Sequence, residues 1–193
     1  KYGDNAFTDD SNTLGVIHVV RDPRNIISSL KHHWNLKNLE EAKRKIFDKQ
    51  LMTGFKVKTN NAYSFPVMIS SWANHYNAWK KIKKNYILIK FEDLIDNPIK
   101  ELHKIIQYLN KIKKIEISED KINNILKTTS FDNFKKLEEK GFFEEANIDL
   151  KTNKYKSFFN THPSQYKKTL ISSDIKKEVE IKFYNEMKEL DYL

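Results

Sequence analysis

From Gly15 to Val20 the chain runs Gly-Val-Ile-His-Val-Val, with β-branched residues at four of the six positions. A short, nearly continuous apolar run of this kind predicts a buried strand, as in a parallel sheet with both faces covered. Tyr86-Ile87-Leu88-Ile89-Lys90-Phe91 predicts a second strand. Between the two, apolar residues recur at helical spacing. Pro23 suits the first turn of a helix, where its missing N–H costs nothing, and Ile26, Ile27 and Leu30 form that helix's inner face. A second helix is predicted from about Leu39 to Met52, with Leu39, Ala42, Ile46 and Phe47 inward. Pro66 opens a third, to about Lys84, in which Met68, Trp72, His75, Trp79 and Ile82 mark one face at steps of four and three.

Beyond the second strand, Glu92 to Asn97 reads as a turn, and Pro98 begins a helix with Leu102, Ile105, Ile106 and Leu109 inward. Ser118 is placed to cap a short helix backed by Ile122, Ile125 and Leu126. Thr128-Thr129-Ser130-Phe131 forms a polar gap before another short helix, and a last helix is expected from about Ser172 to Leu190. Residues 1–14 and 53–65 have loop composition, and residues 140–171 look irregular. The predicted class is therefore α/β, with two strands separated by helices, too few for a complete sheet.

Length and composition narrow this picture further. The 193 residues, 39% of them hydrophobic, suffice for one core. No run of 18 apolar residues is present to span a membrane. There is no cysteine, which excludes disulfides and thiolate metal sites and fits a cytoplasmic protein. No His, Asp or Glu cluster has metal-ligand spacing, so no metal is expected. The net charge of +9 invites a nucleic-acid reading, but the lysines are spread along the chain and aromatics do not interleave with them. A solvated lysine surface accounts for the charge, and no nucleic-acid partner is expected.

The arginines say more than the net charge. There are three among 32 lysines, and two of them, Arg21 and Arg24, lie in Val19-Val20-Arg21-Asp22-Pro23-Arg24-Asn25, between the first strand and its helix. A guanidinium presents a planar fork that can grip a phosphate through two bonds, which a lysine ammonium cannot. The end of a strand followed by a helix start is also where α/β proteins hold phosphate groups. Ser28 and Ser29, in the second turn of that helix, are candidates to bring a hydroxyl to the same anion. From the residues alone, an alternative stands equally: Arg21 pairs with Asp22 or Glu92, and Ser29 is a neutral helix residue.

Ile17-His18-Val19-Val20-Arg21-Asp22-Pro23-Arg24-Asn25-Ile26-Ile27-Ser28-Ser29 resembles a nucleotide-binding signature of the sulfotransferases that use 3′-phosphoadenosine 5′-phosphosulfate. The likeness continues in order through Trp72-Ala73-Asn74-His75-Tyr76-Asn77-Ala78-Trp79 and through Ile87-Leu88-Ile89-Lys90-Phe91-Glu92-Asp93-Leu94 with Asn97-Pro98. It resumes at Thr129-Ser130-Phe131 with Phe134, then at Phe158-Phe159, Tyr166-Lys167-Lys168 and the final helix. The resemblance implies a P-loop-NTPase-like three-layer α/β fold, a parallel sheet flanked by helices, of which residues 1–193 form an incomplete, C-terminal part. It implies that Arg21 and Ser29 bind the 3′-phosphate and that Phe91, Thr129, Ser130 and Phe131 lie on the adenine side. His75 would line the acceptor pocket, and Arg24 would be a surface or salt-bridging residue.

Two departures qualify what the resemblance implies. The family's phosphate-cradling loop with its catalytic lysine, and its Lys-x-His, do not occur here; Gly3, Gly15, Gly54 and Gly141 are all isolated. Both would precede Gly15, so the expectation is that an N-terminal part is missing, that no catalytic residue lies in this chain and that the chain alone is inactive. After Phe158-Phe159 the family's Arg-Lys-Gly phosphate grip is replaced by Asn160-Thr161-His162-Pro163, where His162, Lys167 or Lys168 could substitute. The implied co-substrate is 3′-phosphoadenosine 5′-phosphosulfate, and the acceptor a small molecule, carbohydrate or lipid carrying a hydroxyl or amine. The competing readings are a nucleotide-kinase relative, which needs a Gly-x-x-x-x-Gly-Lys-Ser/Thr loop, and a non-catalytic basic module that binds nucleic acid.

Overall fold

A computed structural model describes residues 13–54, 66–82, 85–143, 147–149, 154–160, 162–167 and 171–193. Most of the two predicted loops at 1–14 and 53–65, together with Thr161 and Lys168, lies outside the described residues. In chain order the elements are β1 (Val16–Val20), α1 (Pro23–His33), α2 (Leu39–Phe47), β2 (Met52–Thr53), β3 (Val67–Met68), α3 (Trp72–Lys80), β4 (Tyr86–Lys90), α4 (Phe91–Asp96) and α5 (Pro98–Ile112). They continue with α6 (Glu119–Thr128), α7 (Phe131–Glu139), β5 (Asn147–Asp149), β6 (Lys154–Lys156), a 3-10 turn (Pro163–Lys167), α8 (Ser173–Lys182) and α9 (Tyr184–Glu189). The chain divides into two compact units, residues 1–21 with 80–167, and residues 22–79 with 168–193.

In the first unit β1 and β4 pair in parallel, with Val16 opposite Tyr86 and Val20 opposite Lys90. The β-branched run forms the strand that the sequence predicts, but the expectation of two covered faces is corrected. Val16, His18 and Val20 are buried, whereas Ile17 is 42% and Val19 50% exposed. The alternation is that of a half-covered strand, with one face open among the described residues. His18 tolerates burial because its Nδ1 lies 2.7 Å from the Tyr86 hydroxyl. The sheet's entry is fixed by a close approach: Tyr108, on α5, donates its hydroxyl to the Asn85 carbonyl at 2.5 Å. A Cβ at Gly15 would come within 2.0 Å of that hydroxyl, so only glycine fits there.

The helix start at Pro98 and the cap at Ser118 read from the sequence are present, and the structure adds a cap at Ser130. Pro98 opens α5, and the Ser118 and Ser130 hydroxyls accept from the backbone N–H of Lys121 and Asn133, each at 3.3 Å. The predicted turn at Glu92–Asn97 is instead the short helix α4, which continues directly from β4. The irregular stretch after residue 140 contains the antiparallel pair β5–β6 and the 3-10 turn. On α5 the helical pattern missed the two most buried side chains, Glu101 and Tyr108; Glu101 is ion-paired to Lys104 at 2.5 Å.

The second unit has its own core of Ile27, Ala42, Ile46, Ile175, Val179, Phe183 and Met187. Phe183 sits at its centre, 5.2 Å by ring centroids from both Phe47 and Trp72. The single helix predicted from Ser172 to Leu190 is broken at this residue, which leaves helical dihedrals (φ −117°, ψ 24°) with its ring 1% exposed. The helix at Leu39 ends five residues early, at Phe47. The third predicted helix is also corrected. Met68 belongs to β3, which pairs with β2, and Ser70 takes a left-handed turn (φ 64°) before α3 begins at Trp72. The inward residues are Trp72, Ala73 and Tyr76, while His75 and Trp79 face outward.

Arg24 ties this unit together. Asp22 caps α1 by accepting from the Arg24 backbone N–H at 2.9 Å, and its carboxylate also takes the Arg24 Nε and Nη2. Nη1 donates to Glu180 on α8 at 2.5 Å, and Nη2 to the Tyr192 carbonyl at 2.6 Å. The reading of Arg24 as a salt-bridging residue fits these contacts. Removing the guanidinium takes away its ion pairs with two partly buried carboxylates, so Arg24→Ala is expected to lower stability by about 2–4 kcal/mol. Urea denaturation checks this against Lys100→Ala on the exposed face of α5, expected to stay within about 0.5 kcal/mol of the parent.

Candidate functional site

The parallel register of β1 and β4 determines what stands at their carboxyl ends. Val20 lies opposite Lys90, so the residues that follow, Arg21 and Phe91, leave the sheet side by side. The Arg21 guanidinium carbon lies 4.4 Å from the centre of the Phe91 ring. A guanidinium over a ring face is held there by a cation–π contact. The structure therefore brings together two of the candidate residues.

A second group of candidates forms at the α6–α7 junction of the same unit. Thr129 is the C-cap of α6, and its hydroxyl donates to the Ile125 carbonyl at 2.7 Å. Ser130 is the N-cap of α7, donating to the Lys127 carbonyl at 3.0 Å and accepting from Asn133. Their hydroxyl protons are thus engaged by helix backbones, and what each retains toward solvent is acceptor capacity. Phe131 opens α7 and carries ring neighbours from the far end of the unit: Phe159 at 5.7 Å and His162 at 4.8 Å, both edge-on.

His162 takes part in the 3-10 turn that follows it. Its Nδ1 accepts from the Ser164 backbone N–H at 3.2 Å and lies 2.7 Å from the Ser164 hydroxyl. A neutral ring accepting at Nδ1 carries its proton at Nε2, which leaves that nitrogen as a donor. The 3-10 turn packs against α4, the helix that begins with Phe91. Strand ends, Phe131 and the His162 turn thus belong to one packed neighbourhood, which no single sequence segment announces. Sequence periodicity gave no warning of the Phe143, Phe158 and Phe159 ring contacts that complete it.

Ser29 and His75 belong to the other unit and are described there by themselves. Ser29 is exposed on α1, while its neighbour Ser28 has a buried Oγ with no hydrogen-bond partner. His75 stands on the outer side of α3, where its Nε2 accepts from the Trp79 indole N–H at 3.2 Å. An indole only donates, so the neutral His75 ring holds its proton at Nδ1. Partial burial of the ring beside Trp79 lowers the His75 pKa below the ordinary histidine value. Among the described residues, no group of three or more His, Asp or Glu side chains is disposed to hold a metal ion, and no helix is long and apolar enough to cross a membrane.

Comparison with known proteins bears on this arrangement. The sulfotransferase-domain family profile matches residues 10–191. Human sulfotransferase 2A1 is 28% identical over 127 residues, covering 65% of this chain and 40% of the relative. Dog sulfotransferase 1B1 is 28% identical over 128 residues, covering 64% and 38%. The chain thus spans about two fifths of the length of these relatives. Mouse sulfotransferase SULT7A1, solved in complex with PAP, superposes with a TM-score of 0.57 at 17% identity, over 92% of this chain and 59% of its own. A retinol dehydratase, solved with androsterone and the inactive cofactor PAP, gives a TM-score of 0.59 at 15% identity, over 90% and 47%. These matches favour neither the nucleotide-kinase reading nor the basic nucleic-acid module. They agree with the α/β fold, a parallel sheet flanked by helices, and the chain belongs to the sulfotransferase family.

Proposed function

We propose that this chain forms the nucleotide side of a site that transfers a sulfuryl group from 3′-phosphoadenosine 5′-phosphosulfate to an acceptor hydroxyl or amine. The observation that carries the reading is Arg21 stacked on Phe91 at the carboxyl ends of two parallel strands. A planar donor edge beside an aromatic ring suits a phosphate attached to a nucleoside. In this reading Arg21 hydrogen-bonds the 3′-phosphate, and Phe91 holds the guanidinium flat and faces the base. Ser29 is the second phosphate donor, supported by the family resemblance and by its exposure on α1.

Thr129, Ser130 and Phe131 serve the adenine side. Thr129 Oγ1, its proton engaged by Ile125, offers lone pairs that match an exocyclic amine, and Phe131 offers a ring for the base. Bound there, the co-substrate supplies the sulfuryl group for in-line displacement by the acceptor. No residue of this chain is assigned to the transfer itself, because the family's phosphate loop and Lys-x-His are not in its sequence. The acceptor is a small molecule, a carbohydrate or a lipid, with His75 lining its pocket, and the setting is cytoplasmic.

Calorimetric titration with adenosine 3′,5′-bisphosphate and with adenosine 5′-phosphate tests the central assignment. Arg21→Ala is expected to weaken the bisphosphate by about 10- to 100-fold, the worth of a charge-assisted hydrogen-bond pair, and to leave the 5′-phosphate unchanged. Arg21→Lys should recover only part of the loss, having neither the fork nor the flat face. Equal weakening of both nucleotides would refute the 3′-phosphate assignment. Binding with a steep salt dependence and no nucleotide preference would restore the nucleic-acid reading.

His75 has a pH signature of its own. Its folded-state pKa lies below the unfolded value of about 6.5, so the ring is neutral at pH 7, and protonation begins to cost stability as the pH falls through about 6.5. Ring-proton NMR should show a titration midpoint below about 6.5 that moves upward in Trp79→Ala, where burial and the indole donor are both lost. A midpoint at or above the ordinary value in the parent chain would contradict this.

A further inference from the structure

Helix α7 presents Phe131, Phe134 and Glu138 at positions i, i+3 and i+7, which is one face. The stretch of residues 157–160, with His162, is seated on that face through two kinds of contact. Its backbone is held by Glu138: the N–H groups of Phe158 and Phe159 donate to Oε1 and Oε2, and the Ser157 hydroxyl donates to Oε2 at 2.8 Å. Its rings rest on the phenylalanines. Phe159 stacks on Phe134 at 5.6 Å with the rings nearly parallel, and meets Phe131 edge-on.

From this geometry we infer that Glu138 is a positioning residue for nucleotide recognition: it fixes Phe159 and His162 against Phe131 and so sets the shape of the base-side wall. The inference rests on the reading of Phe131 as an adenine-side residue. Three donors converge on one carboxylate, two of them successive backbone N–H groups, an arrangement that suits an acceptor with two equivalent oxygens. A glutamine would turn an NH₂ toward an N–H and could satisfy only part of the set. Ring stacking alone leaves the segment free to slide along the aromatic surface. The carboxylate fixes its register, because Phe158 and Phe159 must each keep their own oxygen. The edge that Phe159 and His162 turn to Phe131 then follows, and with it the space left beside that ring for a purine.

The test uses the full chain and two readouts. In Glu138→Gln, hydrogen exchange at the Phe158 and Phe159 amides should rise about tenfold or more, with β1 and β4 amides unchanged. The preference for adenosine 3′,5′-bisphosphate over uridine 3′,5′-bisphosphate should fall about tenfold, with affinity for the uridine nucleotide held within about twofold. Glu138→Asp, which keeps both oxygens, should recover part of the preference. If Glu138→Gln does not fold, Ser157→Ala, which deletes one donor, should move both readouts in the same direction by a smaller amount. Unchanged amide exchange, or equal loss of both nucleotides, overturns the inference while leaving the proposed site intact. A parent chain that binds adenosine 3′,5′-bisphosphate no better than the uridine nucleotide refutes the adenine-side reading, and the specificity role of Glu138 with it; a parent chain that binds neither also refutes the nucleotide site.

Discussion

Two parallel strands that pair without offset must release their next residues side by side, and this constraint organises the candidate site. Val20 opposite Lys90 leaves Arg21 and Phe91 no choice but to be neighbours. Their cation–π contact then holds the guanidinium at the carboxyl end of the sheet. The register has its own causes upstream. Val16 donates to the Asn85 carbonyl at 2.8 Å, Tyr108 donates to the same carbonyl, and Gly15 lacks the side chain that would push that hydroxyl away. A methyl group at Gly15 would therefore act on the guanidinium six residues away, through the pairing of the strands.

What the sequence made legible was local chemistry. β-branched runs became strands, Pro23 and Pro98 opened helices, and Ser118 became a cap, because these residue types have strong preferences that few neighbours can override. What it concealed was which face of an element would find a partner. The stripe from Met68 to Ile82 has helical spacing, yet its first member is in a strand and its histidine faces outward. Spacing tells which residues share a side; it does not tell which side is covered. Ile17 and Val19 make the same point for a strand, being as apolar as their buried neighbours and still exposed.

The break at Phe183 and the seat of Glu138 were hidden for a different reason. Both depend on residues far along the chain. Phe183 leaves the helix with its ring between Phe47 and Trp72, more than a hundred residues earlier. Glu138 looks like a solvated helix carboxylate until the loop at 157–159 arrives to use it. Long-range contacts of this type carry no signal in a window of ten or twenty residues. The resemblance to the family reaches across such distances, since it is what groups Arg21, Phe91 and Phe131, more than a hundred positions apart, in one proposed nucleotide site.

Arg21 and Arg24 show why residue type alone does not define an anion site. The two guanidinium groups are three positions apart and chemically identical, and both lie at the helix start where an anion would be expected. Arg24 is saturated: Asp22 takes two of its nitrogens, Glu180 a third, and the Tyr192 carbonyl shares one of these. A phosphate approaching it would have to break its ion pairs with two partly buried carboxylates, a cost of several kcal/mol before any gain. Arg21 lies instead over the Phe91 ring, 4.4 Å from its centre, in a cation–π contact. One guanidinium is thus built into the ion pairs of its own unit and the other lies against an aromatic ring at the sheet's carboxyl end, a difference that residue type does not disclose.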